Sequence, residues 1–119
     1  MGNVTLTADT TFGGTGRWDI RGGLATLSTS GNAYNLTKAG NNQISLVGVT
    51  LDSALANINV NAGTLSVETT TSGLGNPAST LTVASGATFQ LFANTVTMDK
   101  VFVLNGNGLT NTVNNGSGS

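Results

Sequence analysis

A chain of 119 residues holds one domain of ordinary size, and with no Cys and no His it has no thiolate or imidazole nucleophile, no disulfide framework and no zinc site. Its net charge of −1 and four Lys plus Arg leave no basic groove for nucleic acid, and no run of about 18 apolar residues is present to insert in a membrane. The 38% hydrophobic content is modest, 17 residues are Gly, and Thr and Asn are abundant where Leu-, Glu- and Lys-rich helix formers are absent, so the expected class is all-β with a thin core.

Period-two alternation predicts short strands along the whole chain, each with one buried face. In order they are 4–6, 18–20, 24–27, 44–46, 58–60, 65–67, 81–83, 89–91 and 101–103. Gly, Asn and Ser punctuate them, as at Gly13-Gly14, Ser30-Gly31-Asn32, Gly40-Asn41-Asn42 and Gly73-Leu74-Gly75-Asn76-Pro77, which is turn chemistry. Phe89-Gln90-Leu91-Phe92 and Val101-Phe102-Val103-Leu104 read as core strands.

Gly40, Gly63 and Gly86 stand 23 residues apart, and Ile58-Asn59-Val60 precedes Gly63 by the offsets at which Leu81-Thr82-Val83 precedes Gly86. The series extends weakly to Gly16 and Gly108, with intervals of 24, 23, 23 and 22. A repeat of that length with two short strands, Gly turns and no helix is one coil of a β-solenoid, each coil pairing with the next through parallel ladders. The expectation is a parallel β-helix of about five coils of roughly 23 residues, a rod on the order of 24 Å tall. A hairpin-joined meander is the competing all-β reading. The Asn-Gly turns it needs are confined to the C-terminal end, as at Asn105-Gly106 and Asn115-Gly116.

Residues 34–91 resemble the autotransporter-associated β-strand repeat, the passenger-associated repeat of bacterial autotransporter and surface proteins. The resemblance rests on Asn35-Leu36-Thr37-Lys38-Ala39-Gly40, Ile44-Ser45-Leu46, 58–67 (INVNAGTLSV), Leu74-Gly75, 79–83 (STLTV) and 85–91 (SGATFQL). It implies a right-handed parallel β-helix in a secreted or cell-surface protein held by an outer-membrane-anchored parent, acting as a rigid stalk in adhesins, with no catalytic residue. Residues 49–56 depart from that pattern as an insertion, which puts the regularity of the second coil in question. The close of the chain, 112–119, reads as the opening of a further turn. Residues 1–119 are therefore expected to be a single solenoid segment of something longer, whose partners are the neighbouring coils of its parent.

Five carboxylates, Asp9, Asp19, Asp52, Glu68 and Asp99, are the acid/base groups available. Asp52 and Glu68 become neighbours if their coils stack, the arrangement a β-helix polysaccharide-degrading enzyme would need. The segment 13–19 nearly matches the calcium-binding Gly-Gly-x-Gly-x-Asp nonapeptide, but Asp19 arrives one residue late and so on the wrong strand face. In the stretch Arg17-Trp18-Asp19-Ile20-Arg21, Trp18 and Ile20 share one face while Asp19 sits between Arg17 and Arg21 on the other. Arg17, Asp19 and Arg21 are the candidate partner-contact patch, for a host or environmental glycan or protein. Thr pairs at Thr5/Thr7, Thr80/Thr82 and Thr95/Thr97 are the remaining surface pattern, at spacings that do not match the repeat. The Gly-rich stretches 73–77 and 106–108 precede no helix and read as turns, not phosphate cradles. No metal, cofactor or catalytic residue is expected. The exposed strand edges of the outermost coils make end-to-end association an expected property.

Overall fold

The computed structural model describes residues 2–22, 25–69, 71, 73–92 and 100–105, and the backbone of 112–115. Among the described residues, thirteen strands follow one another in three tracks. The first carries β1 (Val4–Thr5), β4 (Thr26–Ser28) and β7 (Thr50–Leu51); the second β2 (Thr10–Phe12), β5 (Leu36–Lys38), β8 (Ile58–Val60), β10 (Thr80–Val83) and β12 (Val101–Leu104). The third carries β3 (Trp18–Arg21), β6 (Gln43–Val47), β9 (Thr64–Glu68), β11 (Thr88–Phe92) and β13 (Thr112–Asn115). Every ladder among them is parallel, with strands paired one coil apart, so the chain is a β-solenoid and not a meander.

Five rungs separated by about four turns is close to the five coils expected. The register spacing varies more than the Gly series implies, from 21 residues between Ile44 and Leu65 to 26 between Trp18 and Ile44. Turns absorb the difference while strands hold register. In the second coil the extra residues form the Ser30-Gly31-Asn32 turn, where Ser30 and Gly31 both adopt positive φ (53° and 79°).

The first three coils have three strands each, where alternation alone predicted two. Residues 49–56, expected to be an insertion, instead supply a regular side of the third coil: Thr50 and Leu51 pair with Thr26 and Leu27. The departure falls one coil later, since among the described residues no strand continues this track beyond β7. There the chain passes through Leu74, which is fully buried, and Asn76 N–H donates to the Leu55 carbonyl at 2.8 Å.

Inward side chains stack in columns because a parallel ladder places like positions about 4.8 Å apart. Trp18, Ile44, Leu65 and Phe89 form one column, Ile20, Leu46, Val67 and Leu91 the next, and Leu36, Ile58 and Leu81 line the opposite wall. Most of these are fully buried, each worth about 1.5–3 kcal/mol of transfer free energy. Val101–Leu104, read as core, is exposed at every position, because β12 is the outermost rung of its track and no described strand covers its far side.

Gly63 illustrates how the corners limit side-chain size. It has φ +64°, and a Cβ there would fall on the carbonyl oxygens of Gly40 and Asn42 in the coil above. The partner of Gly40 in the first coil is Gly14, not Gly16: the ladder pairing Phe12 with Lys38 carries on to set Gly14 against Gly40, and Gly16 faces Asn42, whose Nδ2 donates to the Gly16 carbonyl at 2.9 Å. Gly108 lies outside the described residues.

Polar side chains fasten the coils where the apolar columns end. Asp9 Oδ1 accepts from the N–H of Asn35 at 2.9 Å, Asn35 Oδ1 from that of Asn57 at 3.0 Å, and Asn57 Oδ1 from that of Thr80 at 3.0 Å. Thr71 Oγ1, fully buried, donates to the Leu46 carbonyl at 2.8 Å and accepts from Val49 N–H at 3.0 Å. Lys38 occupies a core position, its ammonium donating to the carbonyls of Ala39 (2.6 Å), Gly40 (2.8 Å) and Ala62 (3.2 Å) and to Asn42 Oδ1 (3.1 Å).

Candidate functional site on a lateral face

The outer face of the β3–β6–β9–β11–β13 sheet carries the polar chemistry that the sequence singled out. Strand alternation sends Trp18 and Ile20 toward the core and leaves Arg17, Asp19 and Arg21 outside, as expected. Asp19 sits between the two cations, with Arg17 Nε at 3.1 Å from Oδ1 and Arg21 Nη2 at 2.8 Å from Oδ2. The hydrogen bond to Asp19, and then its charge, hold the Arg17 guanidinium above its ordinary pKa. Both arginines are half exposed, so as a contribution to stability each pair is worth only about 0–1 kcal/mol.

Arg17 also reaches across to the third rung, where its Nη2 lies 3.7 Å from Glu68 Oε2. Between the two runs a surface cleft of about 270 Å³ lined by Arg17, Gln43, Glu68, Gln90 and Phe92. The register brings these residues together: Val47, Glu68 and Phe92 are paired neighbours in one outward column, and Ser45, Ser66 and Gln90 in the adjacent one. Gln43 Nε2 donates to Ser45 Oγ at 2.9 Å. Ser45 and Ser66 point away from the core, since Ile44, Leu46, Leu65 and Val67 on either side face into it, yet both serines are fully buried beneath the longer side chains. Ser66 Oγ has no hydrogen-bond partner among the described residues. Glu68 is only 8% exposed, and among the described residues its carboxylate has no donor nearer than Arg17.

Gln43, Gln90 and Phe92 were not singled out as site residues. Their signal was available: each is an outward residue of its strand, with Phe92 one register step from Glu68 and Gln90 two residues before Phe92 on the same face, legible once the strands are aligned by coil. Phe92, read as part of a core strand, is 45% exposed, because it lies in the outward column beside Glu68.

The other candidates resolve into structure. Asp52 and Glu68, neighbours only if their coils stacked them so, lie on different tracks: Glu68 ends β9, while Asp52 directly follows β7. The Asp52 oxygens accept from the N–H groups of Ala54 (3.0 Å), Thr29 (3.0 Å) and Gly31 (3.3 Å). Those backbone bonds pull its pKa down to about 2. A second cavity of about 260 Å³ beside Asp52 is lined by Thr26, Leu27, Ser28, Thr50 and Leu51, and the carboxylate in it is committed to capping the backbone. The Gly13–Gly16 loop is a corner between β2 and β3, its Gly13 carbonyl accepting from Trp18 Nε1 at 3.0 Å. Thr5 and Thr80 lie in different sheets. Asp99, Thr95, Thr97 and 106–108 fall outside the described residues.

Comparison with known proteins finds no family model, no curated relative and no solved structure that matches the chain.

Proposed function

We propose that this solenoid is a stalk or spacer segment of a secreted or cell-surface protein of the bacterial autotransporter type, with no catalysis of its own. The observation that carries the reading is the unbroken parallel ladder through five rungs on two faces. Such a ladder transmits load through main-chain hydrogen bonds arranged in series, and its outermost strand offers the edge on which a neighbouring coil of the parent would continue the rod. The resemblance of 34–91 to passenger-associated repeats points the same way. A lateral surface of Thr, Asn and Ser with few charges suits a spacer that avoids nonspecific contacts.

The test is small-angle scattering on head-to-tail tandem copies. Each added copy should lengthen a rod of constant cross-section by on the order of 20–24 Å. Tandem copies that behave as independent beads on a flexible string would refute the spacer reading.

A further inference from the structure

We infer that the cleft lined by Arg17, Gln43, Glu68, Gln90 and Phe92 is a binding site for a neutral saccharide unit. The inference is independent of the stalk reading, since it concerns a lateral face and not the ends of the rod.

Four features select this ligand class. The charges around the cleft balance: two arginines, Arg17 and Arg21, stand with two carboxylates, Asp19 and Glu68, so no net charge favours an anion or a cation. The polar groups match hydroxyls, each of which both donates and accepts. The amides of Gln43 and Gln90 supply both functions, the Arg17 guanidinium donates, and the Glu68 carboxylate accepts with two oxygens spaced for a vicinal diol. One of these groups, Glu68, is left under-satisfied by the protein itself. Glu68 is buried but for 8% of its surface, and its nearest cation among the described residues, Arg17, lies 3.7 Å away. A buried polar group in that state costs free energy that a hydroxylated ligand would recover.

Phe92 completes the set. Its half-exposed ring lines the cleft and supplies the apolar wall that the C–H side of a sugar ring would pack on. The volume of about 270 Å³ is just below the usual range of roughly 300–1,000 Å³ for small-molecule pockets, which suits one or two sugar rings of a longer chain. A peptide is a poorer match, because the main-chain groups of β6 and β9 are already used in ladders on both sides and leave no edge for strand addition on this face.

The experiment is a titration of the full chain, followed by side-chain amide NMR and calorimetry, with neutral gluco-, manno- and galacto-oligosaccharides of two to six units. Oligogalacturonate and a Lys/Glu-rich peptide serve as charged probes. The expected result is saturable binding of at least one neutral series, with shifts of the Gln43 and Gln90 amide signals. Phe92→Ala and Glu68→Gln should each weaken it at least about tenfold, and Thr37→Ala on the neighbouring sheet should leave it unchanged. Phe92 is exposed and Glu68→Gln keeps the shape, so both variants are expected to fold, which circular dichroism checks. Absence of binding by every neutral series, binding of only the charged probes, or binding insensitive to both cleft variants would overturn the proposal.

Discussion

Phe89 and Phe102 stand 5.8 Å apart, ring centre to ring centre, in strands of similar character, yet Phe89 is fully buried and Phe102 is 37% exposed. Among the described residues β11, which carries Phe89, has a strand on each side, whereas β12, which carries Phe102, is paired on one side only. The two lysines repeat the contrast. Lys38 is wholly enclosed and bonds to oxygens of its own coil and the next, whereas Lys100, at the start of the outermost rung, reaches back to the Ala56 and Asn76 carbonyls and Ser79 Oγ from a partly exposed position. Burial depresses the pKa of both, that of Lys100 to about 8. In a solenoid, then, the burial of a residue is set by the neighbouring coils as much as by its own strand.

The sharpest way to break that comparison is to truncate both rings. Phe89→Ala is expected to cost about 3–4 kcal/mol in chemical denaturation and Phe102→Ala about 1 kcal/mol; equal costs would show that β12 is covered in solution. Next come the lysines. Lys38→Met leaves buried carbonyls without their donor and should cost about 3 kcal/mol, while Lys100→Met, whose acceptors are nearer to solvent, should cost about 1 kcal/mol. At the corner, Gly63→Ala should destabilise by about 2 kcal/mol, from strained φ and a Cβ pressed on the coil above, whereas Gly31→Ala, with no atom within 4 Å of its Cβ, bears the φ strain alone and should cost about half as much.

An effect as small as the lesser member of each pair, and dependent on pH, belongs to Asp52. Its carboxyl is held at about 2 in the folded chain against an ordinary 3.8, so its stabilisation is complete above about pH 4 and is lost as pH falls through about 2. With allowance for its exposure, Asp52→Asn should cost about 1 kcal/mol at neutral pH. The gap between the two proteins should close over the window from pH 4 to 2, as followed by denaturant midpoints.

The all-β class, the repeat and nine of the strand positions were legible because alternation and Gly spacing are local signals. Four strands were missed: β2, β5 and β7, two or three residues long and without the apolar–polar–apolar triplet that marks β8, and β13 (Thr112–Asn115), whose stretch read only as the opening of a further turn. Val101–Leu104 has an uninterrupted apolar core pattern yet is exposed at all four positions, which no local pattern could reveal. At the lateral site, Arg17, Asp19 and Arg21 were legible because they alternate along one strand. Gln43, Glu68, Gln90 and Phe92 come from three different coils, and only the register between those coils brings them to the same cleft. Lys38, read only as part of a repeat motif, fills a position held by Val60 and Val83 in the following coils, and its carbonyl cage is invisible without the turn geometry.

The ladder also bears on how such a chain changes over generations. Ile58 pairs with Leu81, so loss of the 23 residues 59–81 would join Ile58 directly to Thr82, the register equivalent of Asn59. Duplication of the same stretch would add a coil by the same logic. Recombination between similar stretches can thus alter the length of the gene product by whole turns without disturbing any strand, and selection acts on length nearly independently of fold.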